Sequence, residues 1–167
     1  FAPTFSELHA AWPAVVVAGG RHGVDLVDLS DPDNPTKTGR LPTPGYLTDV
    51  AIQGNVAWVV DESGNLFGID PVAGTQRVRH RIGGTLRRIQ ALGDQHLVVA
   101  DLDGWLRVVD VAHPDEPRVV GSLAFEAPGW EAGPCDMAIS GSTGYVTARG
   151  GVYAVDLSAP AGPVVVG

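Results

Sequence analysis

The stretch "DVAIQGNVAWVVDESGNLFGID" (residues 49–70) contains three short apolar segments separated by two turn-forming segments, "QGN" and "DESG". Short apolar segments bounded by Gly, Asn and Asp are typical of β-strands joined by tight hairpins. The same order of segments returns as "RIQALGDQHLVVADLDG" (88–104) and as "DMAISGSTGYVTARGG" (136–151). The sequence therefore predicts a repeat built from short antiparallel strands.

The third strand of each repeat ends on an aspartate, and these aspartates define the length of the unit. They close "VDLVD" (24–28), "LFGID" (66–70), "LRVVD" (106–110) and "VYAVD" (152–156), and they lie 42, 40 and 46 residues apart. A bend rich in proline or glycine follows each of them, and then a further short strand. We expect the aspartates to accept backbone N–H bonds in the bend, with Asp110 bonded to buried donors.

Four short strands in about 42 residues is the size of one blade of a β-propeller. We therefore predict an all-β propeller of four blades, each with four antiparallel strands. The blades are expected at about residues 5–44, 47–84, 87–126 and 135–167, so that residues 1–167 form one domain. The blades either close a four-bladed ring or form part of a larger propeller.

The segment Arg21-His22-Gly23 resembles the signature of histidine phosphatases, in which a histidine attacks phosphorus and an arginine holds the phosphate oxygens. In the repeat it aligns with "ESG" (62–64) and "LDG" (102–104), which are predicted hairpin turns. A strand follows it, whereas a phosphate site needs a helix whose N–H groups point at the anion. We therefore predict a turn without a catalytic role.

The composition excludes several classes of function. With 11 Lys+Arg against 19 Asp+Glu, the formal charge of −8 opposes attraction to nucleic acid or anionic lipid. The single cysteine, Cys135, excludes an internal disulfide framework and a thiolate metal cluster. No apolar run approaches the roughly 18 residues needed to span a bilayer. We expect no nucleic-acid partner, no transmembrane segment, no metal site and no cofactor.

Two longer segments, "DVAIQGNVAWVVD" (49–61) and "LRVVDVAHPDEPRVVGSL" (106–123), resemble the LVIVD-repeat β-propellers. The resemblance implies a bacterial or archaeal protein that is exported and extracytoplasmic, in the periplasm or at the cell surface, either soluble or peripherally associated with the membrane. It also implies a binding or scaffolding surface, because the family has no catalytic residues in common.

In a propeller the first strand of every blade lines the central channel, so residues near its start form a ring at one mouth. The alignment of the repeats places Ser6, Asp49, Arg88 and Asp136 in this ring. Two carboxylates facing an arginine could bind a cation or a polar ligand. They could equally form a ring of ion pairs that closes the channel.

Large aromatic residues mark candidate interfaces. Tyr46 and Trp130 lie in the longest segments between blades, "TPGYL" (43–47) and "EAPGWEAGPC" (126–135), while Phe5 and Trp12 lie in the irregular first blade. Tyr and Trp are residue types that anchor protein interfaces. The alternative for Tyr46 and Trp130 is packing between the blades.

The sequence thus favours a non-catalytic protein-binding or scaffold module, such as a membrane-extrinsic subunit of a larger complex. Its expected partners are other protein subunits or further copies of itself, held through the first and last blades. The alternative is an enzyme, a hydrolase or lyase, with a polar site at the channel mouth around Asp49, Arg88 and Asp136.

Overall fold

A computed structural model of the protein describes residues 7–11, 14–125, 136–148 and 151–167. In these ranges the chain forms four antiparallel sheets of four strands each, and the strands lie in chain order within every sheet. The first sheet contains β1 (Glu7–Ala11), β2 (Ala14–Ala18), β3 (Val24–Asp28) and β4 (Thr36–Leu41). The second contains β5 (Leu47–Gln53), β6 (Val56–Asp61), β7 (Asn65–Asp70) and β8 (Thr75–Arg81). The third contains β9 (Leu86–Leu92), β10 (His96–Asp101), β11 (Trp105–Asp110) and β12 (Arg118–Ala124), and the fourth contains β13 (Asp136–Ser140), β14 (Thr143–Ala148), β15 (Gly151–Asp156) and β16 (Val164–Val165).

Glycines fix the first hairpin of three of the sheets. Gly54, Gly93 and Gly141 follow β5, β9 and β13, and their φ angles are 59°, 57° and 60°. Left-handed backbone of this kind is strained for residues with a Cβ, and it is typical of hairpin turns of two residues, as after β5 and β13, and of three residues, as after β9. The repeated glycine therefore sets the register in which the first and second strands pair.

The sheets stack face to face, and three apolar clusters lie between them. We call the face that packs on the following sheet the forward face, and the opposite one the rear face. The forward face of the second sheet, with Trp58 and Leu66, packs on Leu97 and Val99 of the third. The first and second sheets meet in the same way, as do the third and fourth. Alternation along each strand gives both faces their apolar residues.

The first strands lie at the centre of the arrangement. Strand β5 packs against both β1 and β9, and β9 packs against β13. The fourth strands β4, β8 and β12 are the most exposed of their sheets, so they form the perimeter. Within the described residues the ring is not closed between the fourth sheet and the first.

The segment Gly20–His22 is a single 3-10 turn between β2 and β3, and both Arg21 and His22 are exposed. This confirms that the phosphatase-like segment is a strand-to-strand turn. Across the described part of the chain, no helix is long or apolar enough to cross a bilayer.

Candidate functional site

The predicted residues at the channel mouth come together across the central strands. Arg88 Nε donates to Asp136 Oδ1 at 3.0 Å, which ties the third sheet to the fourth. Asp49 ties the second sheet to the third, because its Oδ2 accepts the backbone N–H of Ile89 at 2.8 Å. Thr48 adds a second bond of this kind, with its hydroxyl donating to the carbonyl of Leu86 at 3.1 Å. The three predicted residues thus join neighbouring sheets.

The two carboxylates of this group differ in exposure. Asp49 is buried, and its Oδ1 also accepts the N–H of Val50 at 2.8 Å. The Asp136 side chain is 68% exposed. The backbone N–H of Met137, and then the guanidinium of Arg88, hold the pKa of Asp136 below its usual range. Asp136 is therefore the ionised group that solvent reaches most easily, and ligand binding by this group of residues stays a prediction.

In the first sheet the strand register gives the position equivalent to the ring residues. Ser6 lies outside the described residues. Glu7 pairs with Ala18, in the register position that Asp49, Arg88 and Asp136 occupy opposite Val60, Ala100 and Thr147. Bulges at Thr48 and Arg87 precede the ring position in the second and third sheets. The prediction for Ser6 stays a prediction.

Of the four predicted interface aromatics, only Tyr46 lies in the described residues. Tyr46 is half-buried, and its carbonyl accepts the N–H of Glu62 at 3.0 Å. It lines an open cavity of about 310 Å³ together with Arg21, Thr43 and Ser63. Phe5, Trp12 and Trp130 fall outside the described residues. An interface role for all four stays a prediction.

The turn Asp101-Leu-Asp103-Gly104, which is similar in part to a calcium loop, is a hairpin held by its own carboxylates. Asp101 is fully buried, accepts the N–H of Trp105 at 2.9 Å and pairs with Arg107. Asp103 accepts the N–H of Thr85 at 2.9 Å. Among the described residues no group of three or more His, Cys, Asp or Glu could hold a metal ion.

In two of the sheets the second strand ends on an aspartate that is fully buried, and this burial was not predicted from the sequence. Asp61 ends β6 as Asp101 ends β10, and it accepts the N–H groups of Ser63 and Asn65 at 3.0 and 2.8 Å. Gly45 and Gly84, in the loops that lead into the two sheets, leave no room for a Cβ over these carboxylates. Both aspartates end an apolar strand, as "VVD" (59–61) or "VAD" (99–101), and a glycine follows three residues later. This shared pattern could have identified the buried carboxylates.

The four aspartates that end the third strands accept backbone bonds as predicted. Their Oδ1 atoms accept the N–H two residues on, at 2.8 Å from Ser30, 3.0 Å from Val72, 2.8 Å from Ala112 and 2.8 Å from Ser158. The expectation that the donors at Asp110 are buried was wrong, because the bond lies at the surface. The bends themselves lie against the preceding sheet, since Arg77 of β8 pairs with Asp115 at 3.2 Å and a Cβ on Gly121 of β12 would clash with the carbonyl of Pro160.

The forward face of the fourth sheet is an apolar surface on which no sheet of the described chain packs. Tyr145 and Val152 lie on it and are 49% and 64% exposed. Tyr145 occupies the register position of Trp58, flanked by Ala138 and Ala154 as Trp58 is flanked by Ala51 and Gly68. Neither side chain was predicted from the sequence to have a role in binding, although alignment of the repeats could have placed both on a packing face.

Solved structures place this arrangement in a known class. The β-propeller domain of Cps50 (Swd1) from Myceliophteria thermophila overlays on 100% of this chain and 59% of that chain, with a TM-score of 0.80 and 15% identity. BamB from Moraxella catarrhalis overlays on 96% and 47%, with a TM-score of 0.71 and 17% identity. The computationally designed Ika8 protein overlays on 96% and 47%, with a TM-score of 0.74 and 14% identity. At these identities the likeness shows the fold alone, and that fold is the β-propeller.

Within this class the repeat identifies the family. The LVIVD repeat matches residues 44–70, 83–124 and 133–167, which together make up more than half of the chain. The chain therefore belongs to the LVIVD-repeat family, as its sequence predicted. It spans about half of BamB and of Ika8, since it covers 47% of each. No curated protein matches the chain.

Proposed function

We propose that the chain is a non-catalytic protein-binding and scaffold module whose docking surface is the forward face of its fourth sheet. The observation that carries this proposal is the exposure of Tyr145 and Val152. Residues at the register position of Tyr145 in the other sheets, Val16, Trp58 and Val98, are at most 1% exposed. An apolar face that packs on a neighbour in three sheets is a ready-made binding surface in the fourth.

The chemistry of this face suits a protein partner. Tyr145 combines an apolar ring with a polar hydroxyl, a combination enriched at protein interfaces. Ala138 and Ala154 flank it with small side chains, so a partner can approach the sheet closely. Full burial of an exposed valine such as Val152 is worth about 1.5–3 kcal/mol. A few such side chains supply the core of a specific interface.

The alternative function is a hydrolase or lyase site at the channel mouth. Two of the predicted residues, Arg88 and Asp136, form an ion pair with each other. The third, Asp49, is buried and accepts two backbone N–H groups. Bonds that tie sheets together favour a structural role for these side chains, so the docking face remains the better-supported proposal.

We propose the kind of partner and the location from what the family resemblance implies. A propeller repeat is commonly a protein-interaction module, and we propose other protein subunits or further copies of the chain as its partners. A membrane-extrinsic subunit of a larger complex, outside the cytoplasm, is the setting that the family resemblance supports. The formal charge of −8 weighs against nucleic acid as a partner.

The test compares two charged substitutions at exposed valines. The tagged chain, Val152→Asp and Val72→Asp are each isolated with their bound proteins from cells that naturally make the protein. Val72 is 85% exposed and lies in the turn between β7 and β8, away from the forward face of the fourth sheet. We expect proteins that copurify with the parent and with Val72→Asp to be lost from Val152→Asp. An identical set in all three preparations would contradict the proposal.

A further inference from the structure

Resting on the proposed binding role of this face, we infer that its occupant is a second copy of the chain. In this arrangement the first sheet of one copy packs its rear face on the forward face of the fourth sheet of the other. The contact continues the mode of packing that joins the sheets within one chain, where forward face meets rear face three times. Tyr145 and Val152 then acquire the cover that Trp58 and Leu66 have in the second sheet.

The rear face of the first sheet offers a matching surface. Val24 and Leu26 point into the cluster shared with the second sheet, so the alternating residues Asp25 and Val27 lie on the rear face. Val27 is half-buried there. No sheet of the described residues packs on this side of the first sheet. Both faces of the proposed contact are thus present in every copy.

Asp25 is the one charged group of β3 on the rear face, and its charge is already balanced. It is buried and bonded to Arg40 at 2.9 Å and to Lys37 at 2.7 Å. The carboxylate is thus neutralised before any contact forms, while the side chains of Lys37 and Arg40 are 46% and 43% exposed. Another sheet can therefore cover Asp25 itself, provided that the two cations keep their contact with water at the edge of the contact.

Symmetry makes two copies a closed assembly. A forward-to-rear contact is heterologous, and two such contacts related by a two-fold axis use both free faces of both copies. Two copies therefore leave neither of these faces uncovered.

The first experiment measures the mass of the chain in solution. Sedimentation velocity of the 167-residue chain is run from about 1 to 100 µM, the range in which weak protein pairs form. We expect a concentration-dependent species of twice the 17.4 kDa chain mass and no larger one. A monomer at every concentration overturns the inference, and so does open-ended growth to larger species.

The second experiment distinguishes forward-to-rear packing from packing of two forward faces. Val152→Asp damages the forward face of the fourth sheet, and Val27→Arg damages the rear face of the first. We expect each variant alone to dimerise at least about tenfold more weakly than the parent. An equimolar mixture retains one intact contact, so a heterodimer returns. If Val27→Arg alone dimerises like the parent while Val152→Asp does not, the forward faces pack on each other and the inference is wrong.

Matched measurements keep the outcomes separate. Val72→Asp should dimerise like the parent, and all variants should show the parent's circular dichroism at the lowest concentration. A monomeric chain that still loses copurifying proteins through Val152→Asp overturns the second copy but leaves the protein-binding function. If Val152→Asp loses neither the dimer nor the copurifying proteins, both the second copy and the protein-binding function of this face are wrong.

Discussion

The second and fourth sheets have the same architecture but opposite surroundings. In the second, Trp58 is 1% exposed and lies so close over Gly68 that a Cβ there would meet its ring at 3.0 Å. In the fourth, Tyr145 takes the same register position over Ala154 and is 49% exposed. The repeat therefore builds an apolar forward face in every sheet, and burial depends on what packs on it. An exposed face of this kind is a packing surface without its neighbour.

The comparison predicts its largest effect at the paired aromatic positions. Trp58→Ala should lower the free energy of unfolding by about 3–5 kcal/mol, because it leaves a cavity between two packed sheets. Tyr145→Ala, at the equivalent position, should lower it by less than about 1 kcal/mol in the dilute chain. Urea denaturation at about 0.1 µM, below the range expected for dimers, measures both. Equal losses would show that the fourth sheet's forward face is covered within the chain.

The next effect concerns the aspartate that ends the second strand. Asp101 is buried and bonded to Arg107 and to the N–H of Trp105, whereas the fourth sheet has Ala148 at the equivalent position. Asp101→Ala should cost about 3 kcal/mol, since it leaves a cation and a donor without their acceptor. Thermal unfolding measures the loss. Asp94→Ala, at an exposed turn of the same sheet, is the control and should change stability by less than about 0.5 kcal/mol.

Asp25, on the rear face of the first sheet, should make the free energy of unfolding depend on pH in the acidic range. The hydrogen bond from Arg40, helped by Lys37, lowers the pKa of Asp25 from 3.8 to about 2. Because the folded value lies below the unfolded one, the contribution is present above about pH 4 and disappears as the pH falls towards 2. We expect about 1–2 kcal/mol, reduced by the partial exposure of both cations.

Asp25→Asn tests this prediction directly. The variant should lose that stability at pH 7, and its unfolding free energy should fall less steeply than that of the parent between pH 4 and pH 2. Urea titrations across this range measure the slope. If the unfolding free energies of parent and variant fall in parallel between pH 4 and pH 2, the pair with Arg40 does not lower the pKa of Asp25 in the folded chain.

The smallest effect is expected at the aspartates of the bends, which are alike in all four sheets. Asp110→Ala removes one surface hydrogen bond to the N–H of Ala112 and should cost about 0.5–1 kcal/mol. Asp110→Asn keeps an acceptor oxygen and should recover most of the loss. A cost above about 2 kcal/mol would mean that the bend is buried, as the sequence alone had suggested.

The sequence was sufficient to predict the class of fold because each repeat carries several agreeing signals. Gly54 and Gly93 mark the hairpins, Asp70 and Asp110 mark the bends, and the apolar segments have strand length. The all-β class, the four sheets of four strands and the repeat family all followed from these local features. Local signals of this kind act through turn geometry, which neighbouring residues determine.

The site was less predictable because it depends on contacts between sheets. The register of β1 opposite β2 gives Glu7 the strand position of the ring residues in the other sheets. Arg88 and Asp136 join two sheets, although the two residues are 48 positions apart in the sequence. The exposure of Tyr145 depends on the neighbour of its sheet. None of these relations has a signature within a few residues of sequence.

Fluorine NMR of the chain labelled with 3-fluorotyrosine tests the docking face most directly. The chain has three tyrosines, and Tyr145→Phe assigns the signal of the one on the forward face. Tyr46 and Tyr153 serve as internal references, because Tyr46 is half-buried and Tyr153 packs on Phe125 with ring centroids 5.5 Å apart. We predict that raising the chain concentration changes the chemical shift of the Tyr145 signal to that of a ring buried from solvent, and leaves the other two signals unchanged. A Tyr145 signal that stays solvent-exposed at every concentration, in a sample that nevertheless forms dimers, would contradict the proposed docking face.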